Sequence, residues 1–398
     1  MAHRIDTLSR STFARATPAL LALAVAAAAG TAQAQSSPVT LYGTLYIDLE
    51  TVRGTGGTVP ANDLQSRNRV SSNSSNFGFR GTEKLGGGNE AWFQIEMGSV
   101  AIDAGGGALA GRNSAVGLRG DWGTVFLGQW DTPYKNADSG FDPFGNTSIA
   151  GKANIMGGGT TSTSANAATR QGFDRRQRNV VQYWTQDLKG FSARVAYSAN
   201  EERNTCGATI GCNPSLTSAS LIYRKGNLSL ATAMERHNEY ANTATATTKD
   251  TGMKISGRYV IGGVHGISVA LETLKFQGNV GATGLAKTVV AGSATEAKQK
   301  AMFFGYRGNF GPHNLRLSYA KTKALELNNG GTAVNTNAKM TSVGYGYDFS
   351  KRTEVVAFYT AINNASASRS DFAVNGLLGN NNNGADPRGL AVGIRHRF

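Results

Sequence analysis

Apolar and polar residues alternate along this chain with a period of two. Between Val39 and Glu50, Val39, Leu41, Leu45, Ile47 and Leu49 share one parity, while Thr40, Thr44, Asp48 and Glu50 share the other. Successive side chains of a strand point to opposite faces, so this segment is an extended strand with one apolar and one polar face. The pattern returns in Phe77 and Phe79 against Gly78 and Arg80, and in Phe93, Ile95 and Met97 against Gln94 and Glu96. It returns again in Phe191, Val195 and Tyr197 against Ser192, Arg194 and Ser198, and in Val343, Tyr345, Tyr347 and Phe349 against Ser342, Gly344, Gly346 and Asp348. No long segment carries the three-and-four spacing of an amphipathic helix.

The connections between these segments come in two sizes that take turns. Short ones fall at 85–88, 121–123, 186–190, 225–227, 261–265, 309–312 and 350–352; long Gly/Asn/Thr/Ser-rich ones fall near 53–75, 99–111, 130–178, 200–216, 238–251, 277–298, 324–337 and 364–387. Seven short and eight long connections imply sixteen strands, an even number, with both chain ends at the short-turn rim. First and last strands then pair, and the sheet closes without an open edge. The expected fold is therefore all-β: a 16-stranded antiparallel transmembrane β-barrel with short periplasmic turns and long extracellular loops. A soluble sandwich would need each apolar face to meet a second sheet, and its strands usually run 5–6 residues, shorter than those here.

Composition agrees with this reading. No uncharged apolar run approaches the ~18–20 residues of a membrane-crossing helix, and mean hydropathy is −0.28, which excludes a polytopic helical transporter. A barrel is not excluded, because its alternating strands average to a polar composition. The amino end reads as an address. Arg4, Arg10 and Arg15 precede an apolar stretch at 19–29, too short to span a bilayer, and Ala32-Gln33-Ala34 offers small residues at a cleavage site. Residues 1–34 are expected to be a secretory signal peptide and residues 35–398 the barrel. Loss of three arginines and one aspartate lowers the formal charge from +14 to +12.

At the carboxyl end, Leu390, Val392, Ile394, His396 and Phe398 alternate with Ala391, Gly393, Arg395 and Arg397. Together with the start Val39-Thr40-Leu41-Tyr42-Gly43 and the hairpin from Phe77 through Arg80-Gly81-Thr82-Glu83-Lys84-Leu85 to Gly88, this end resembles the general, non-specific porins of β-proteobacteria. The resemblance spans essentially the whole mature chain. It implies a homotrimer in the Gram-negative outer membrane, among lipid and lipopolysaccharide. It also implies a third loop folded into the lumen and a terminal Phe398 read by the barrel assembly machinery.

The third long connection, about 130–178, resembles that family's constriction loop through Asp131, Lys135, Asp138 and Asp142-Pro143-Phe144-Gly145. Inward parity is expected for Arg80, Arg119, Arg194, Arg258, Arg316 and Arg395, since charge facing lipid at mid-membrane costs roughly 2–4 kcal/mol each. Arg80 and Arg119 are expected to oppose Asp131, Asp138 and Asp142 across the neck, with Arg175, Arg176 and Arg178 on the returning chain as further basic wall residues. Many family members carry Arg just before the aromatic of the second strand; here that position is Asn76. Net positive charge predicts a weakly anion-selective, passive channel for ions and small hydrophilic solutes.

Cys206 and Cys212 bracket five residues of an exported loop, and a disulfide is expected there. Two thiols without His or acid neighbours are too few ligands for tetrahedral zinc, so no metal or other cofactor is expected. The scattered histidines match no catalytic motif, and His313 and His396 read as interfacial residues. Positive residues interspersed along strands do not suggest nucleic-acid binding. The competing function is a channel selective for a sugar, phosphate or organic anion, but Trp92, Trp184 and Tyr46, with inward parity, look too scattered for an aromatic slide.

Overall fold

Each strand buries its polar parity and exposes its apolar parity, the reverse of a water-soluble sheet. On the strand Lys249–Ile261, Met253 and Ile255 are 66% and 67% exposed, while Lys254 and Ser256 between and beyond them are buried. Only a closed wall with hydrocarbon outside and a hydrated interior makes that arrangement stable. The computed structural model describes residues 39–98, 110–145, 147–158, 172–199, 214–239, 249–277, 295–329, 333–379 and 382–398. The expected signal peptide and the Cys206–Cys212 pair lie outside the described residues.

The wall runs in chain order. The first half comprises β1 (Thr40–Thr55), β2 (Leu64–Ser72 and Asn76–Gly86), β3 (Asn89–Met97), β4 (Ser114–Gly120), β5 (Gly123–Asp131), β6 (Arg176–Trp184), β7 (Phe191–Ala199) and β8 (Ser215–Lys225). The second half comprises β9 (Leu228–Asn238), β10 (Lys249–Ile261), β11 (His265–Gln277), β12 (Glu296–Phe310), β13 (His313–Thr322, with the short extension Glu326–Leu327), β14 (Ala338–Asp348), β15 (Thr353–Asn364) and β16 (Asp386–Arg397). The two pieces of β2 occupy one position because both pair with β1, interrupted at 73–75. All neighbours are antiparallel, and β1 pairs with β16 from Thr44↔Arg397 to Thr55↔Asp386, closing a barrel of sixteen strands. Phe398 completes the seam, its N–H donating to Gly43 O at 3.2 Å while Gly43 N–H donates to Phe398 O at 3.1 Å.

The alternation of short turns and long loops holds throughout. One boundary shifts: the first long connection, expected at 53–75, shrinks to 56–63 because β1 and β2 continue pairing beyond the apolar belt. Outward aromatics gather at the short-turn rim, where amphipathic rings match the membrane–water boundary. His313 Nδ1 lies 2.6 Å from the Tyr345 hydroxyl and His265 Nδ1 lies 2.9 Å from that of Tyr306, so both histidines belong to this girdle.

Candidate pore constriction

The connection between β5 and β6 enters the barrel and lies along the inner wall. Thr132 caps the one-turn helix α1 (Pro133–Asn136), accepting from Lys135 N–H. The chain then crosses to the far side, and wall glycines mark where its side chains seat. A Cβ at Gly305 (β12) would meet Pro143, one at Gly344 (β14) would come within 2.7 Å of Phe144, and one at Gly389 (β16) within 2.4 Å of Ile149. On the return, Phe173 occupies the space over Gly252 (β10) and stacks on His237 at 4.4 Å. With helix α1 against β7–β9, these contacts place the described part of the loop on the β7–β16 side of the lumen.

Polar anchors fix the same path. Asp138 is fully buried between two ammonium groups, Lys152 Nζ at 2.6 Å and Lys254 Nζ of β10 at 2.7 Å. Burial alone would raise its pKa, but Lys152 and Lys254 more than reverse that and hold the carboxyl at about 2. Tyr134 donates its hydroxyl to Glu272 Oε2 of β11 at 2.8 Å, and Gly157 N–H donates to Glu272 Oε1 at 2.7 Å. At the tip, Asp142 Oδ1 accepts from Phe144 N–H and Oδ2 from Lys152 N–H, folding the turn on itself. Gly145 follows at φ +73°, a left-handed conformation that glycine adopts without penalty.

The expected opposition of Arg80 and Arg119 to three loop acids is therefore not the arrangement present. Asp138 points into the loop's own anchors, and Asp142 accepts from loop N–H groups while lining a cavity with Arg258 and Arg307. Asp131 faces a cavity of about 320 Å³ with Ser74, Arg112, Lys135 and Lys152, but it is held by Lys135 at 3.3 Å and Arg176 at 3.1 Å. Arg119 lies next to the β4–β5 turn, paired with Glu90 at 2.6 Å. Its partner Thr124 lies seven positions before Asp131 on β5, so it stands roughly 20 Å below the neck at ~3.3 Å per residue. Arg178 faces outward, its Nε donating to Gln129 Oε1 at 3.1 Å. The cause is a bulge: Gly128 pairs with Val180 but Trp130 with Gln177, and Asn179 takes φ +50°. Arg175 is fully buried, and its carbonyl accepts from Thr132 N–H at the base of the loop, so it lines no water.

The remaining expected arginines do face inward. Arg316 is buried against Glu354, which also binds Arg395. Arg194 lies over the Trp184 ring at 4.2 Å, and Arg80 over Tyr42 at 5.2 Å. Arg258 and Arg307 converge below the loop tip, lining a cavity of about 210 Å³ with Phe141 and Pro143. Among the described residues, Arg80, Arg194, Arg258 and Arg307 make no ion pair, whereas Glu50, Glu90, Glu96, Asp131, Asp138 and Glu354 each hold at least one cation.

Sequence reasoning missed Arg112, which binds Glu96 above β3, and Lys152 and Lys254, which anchor the loop. Lys254 was findable, since it shares the inward parity of Gly252 and Ser256. The last long loop is also involved: Ala373 N–H donates to Asn154 Oδ1 at 2.7 Å, and Ala373 and Val374 line the upper cavity.

The Gram-negative porin family profile matches residues 19–367. Outer membrane porin protein 32 of Delftia acidovorans is 29% identical over 388 residues, covering 95% of this chain and 99% of the relative. An outer membrane porin protein of Bordetella pertussis is 27% identical over 416 residues, with 95% and 99% covered. An anion-selective porin from Comamonas acidovorans superposes with a TM-score of 0.73 at 25% identity, covering 91% of this chain and 100% of that one.

Proposed function

We infer, from the premise that the chain belongs to the Gram-negative porin family, that its lumen passes small anions in preference to cations. As a porin it is a channel rather than an enzyme, in the outer membrane of a Gram-negative bacterium, and solutes cross it by passive diffusion. The observation that carries the anion preference is the imbalance of pairing: among the described residues, four inward guanidiniums make no ion pair, while Glu50, Glu90, Glu96, Asp131, Asp138 and Glu354 each hold a cation. Unpaired fixed charge on the wall of a narrow aqueous path raises the local counter-ion concentration. Asn76, where many family members carry Arg, removes one further positive charge and keeps the preference weak.

Reversal potential in a KCl gradient across a planar bilayer tests this. Chloride is expected to permeate a few-fold faster than potassium, and Arg80→Gln with Arg307→Gln to bring the ratio towards one. A clear potassium preference in the unaltered channel overturns the reading.

The proposal extends to assembly. Residues 1–34 are removed on export, Phe398 at the barrel seam is the assembly signal, and three copies associate through apolar outer wall. Outward lysines at the long-loop rim suit the phosphates of lipopolysaccharide. Lys275 faces Lys298 across β11–β12, and Lys321 faces Lys339 across β13–β14. Glu296 and Glu326 offset Lys275, Lys298 and Lys300, but among the described residues Lys321 and Lys339 have no carboxylate. Lys321→Gln with Lys339→Gln should lower the lipid A that co-purifies; unchanged stoichiometry speaks against the lysine contact.

A solute-selective channel is the second reading, favoured by one correction. Trp92 and Trp184 are not scattered, because Phe126 and Trp130 join them into one cluster on the open wall. Tyr46 stands apart, buried beside Arg395.

A further inference from the structure

We propose that the inner wall of β2–β7 carries a binding site for small aromatic carboxylates. This rests on the porin reading, since the site faces the water-filled lumen. Trp92 from β3, Phe126 and Trp130 from β5, and Trp184 from β6 form one edge-to-face cluster, with ring centroids 5.0–6.0 Å apart. The rings of β3 and β5 meet across β4 because the intervening inward position is Gly117, where a Cβ would stand 2.5 Å from Phe126 Cβ. Phe126 is completely covered by its neighbours, while Trp92 and Trp184 remain partly open to a cavity of about 450 Å³.

Trp92 and Trp184 face this cavity with no described segment over them, and apolar rings open to water in that way call for a ligand more than for packing. Among the described residues, the constriction loop's wall contacts fall on β7–β16, and none is with Trp92, Phe126 or Trp184. Two unpaired arginines flank it. Thr82 is opposite Trp92 and Arg80 opposite Gln94, which makes Arg80 the diagonal neighbour of Trp92. Arg194 is directly opposite Trp184 on β7 and stacks on its ring. An indole surface accepts a planar ring, and a guanidinium fork beside it accepts a carboxylate in a bidentate manner. A neutral sugar would leave the arginine without a partner, and an aliphatic anion would leave the indoles facing water. The cavity lies within the usual range for small-ligand sites.

Trp92, Trp130 and Trp184 are three of the chain's 4 tryptophans, and the fourth, Trp122, is exposed at the short-turn rim. Intrinsic fluorescence of the purified, folded barrel therefore reads the site directly. Benzoate is titrated against cyclohexanecarboxylate, which keeps the charge without the aromatic ring, and against benzyl alcohol, which keeps the ring without the charge. Saturable quenching by benzoate is expected, at least ten-fold weaker with either control. Arg80→Gln should weaken benzoate at least ten-fold, and Trp92→Leu should do the same in a barrel whose heat-modifiable gel mobility shows it folded. Equal quenching by cyclohexanecarboxylate or benzyl alcohol, or quenching linear in benzoate, overturns the site. KCl conductance recorded on the same preparation separates the two levels: an ohmic channel that ignores benzoate sinks this inference alone, and loss of ion leak sinks the porin reading.

Discussion

Asp138→Asn keeps the shape of the side chain and removes the charge that two buried ammoniums share. Lys152 and Lys254 lie 2.6 and 2.7 Å from the carboxylate. Glu272 remains near Lys254 and offsets part of its charge, so Lys152 is the cation left without compensation. Removing one partner of a buried pair costs about 3–5 kcal/mol, largely because an uncompensated charge stays behind. At 1.4 kcal/mol per decade, the undocked loop population rises by roughly two to three and a half orders of magnitude. Phe144, Ile149 and Ile155 still bury apolar surface against the wall at about 1.5–3 kcal/mol each, so the loop is loosened rather than released. Single-channel recording should show frequent short transitions and closure at lower voltage. Adding Lys152→Met and Lys254→Met should quieten the channel again, because a neutral triad leaves no stranded charge. An Asp138→Asn channel as quiet as the parent would refute the reasoning. Acid should act similarly in a narrow window. The docked carboxyl has its pKa lowered to about 2 from the ordinary 3.8, so its contribution is complete above about pH 4 and fades as pH falls towards 2. Onset of noise at pH 5–6 would point to another group.

Gly344→Val places side-chain atoms where Phe144 packs, and overpacking of this kind costs typically 1–3 kcal/mol. It should shift the loop tip into the lumen and lower conductance, with β14 pairing intact by circular dichroism; unchanged conductance would mean that the tip is not seated there. Reduction should add the mass of two hydrogens to the mature protein if Cys206 and Cys212 are bonded, and no change means free thiols. Amino-terminal sequencing of exported protein should begin at Gln35, and any other start moves the cleavage site.

Parity made the wall legible because it depends only on which side of each strand meets hydrocarbon. It carries no information on height, and that is where Arg119 departs from expectation. A residue two positions before a turn and one at mid-strand share a face, yet only one can approach a loop that enters at the opposite rim. Parity also fails wherever a bulge inserts a residue. Asn179 in the left-handed region turns Arg178 outward while Arg176, nominally on the same parity, stays with Asp131 in the lumen. An asparagine near a strand end is a weak signal for such a bulge, since asparagine tolerates positive φ better than most residues.

The path of the third loop had a signal of a different kind. Gly252, Gly305, Gly344 and Gly389 all occupy inward positions, and each receives a side chain from the loop. Read along one strand, such a glycine only weakens the sheet. Read across four, the glycines trace a groove on the inner wall, and Lys254 and Glu272 on the same wall supply its polar anchors. That groove explains why Asp138 is turned towards the wall that holds it. Asp131 and Asp142 line cavities, but Asp131 is held by Lys135 and Arg176 and Asp142 by loop N–H groups, so the field in the open half of the lumen is set by the barrel arginines that make no ion pair among the described residues. Strengthening anion preference should therefore depend more on restoring a cation at Asn76, on the open wall, than on altering any loop carboxylate. Asn76→Arg should raise the chloride-to-potassium permeability ratio, whereas Asp142→Asn should leave that ratio nearly unchanged while loosening the tip. A larger selectivity change from the loop variant than from the wall variant would place the controlling charge on the loop after all.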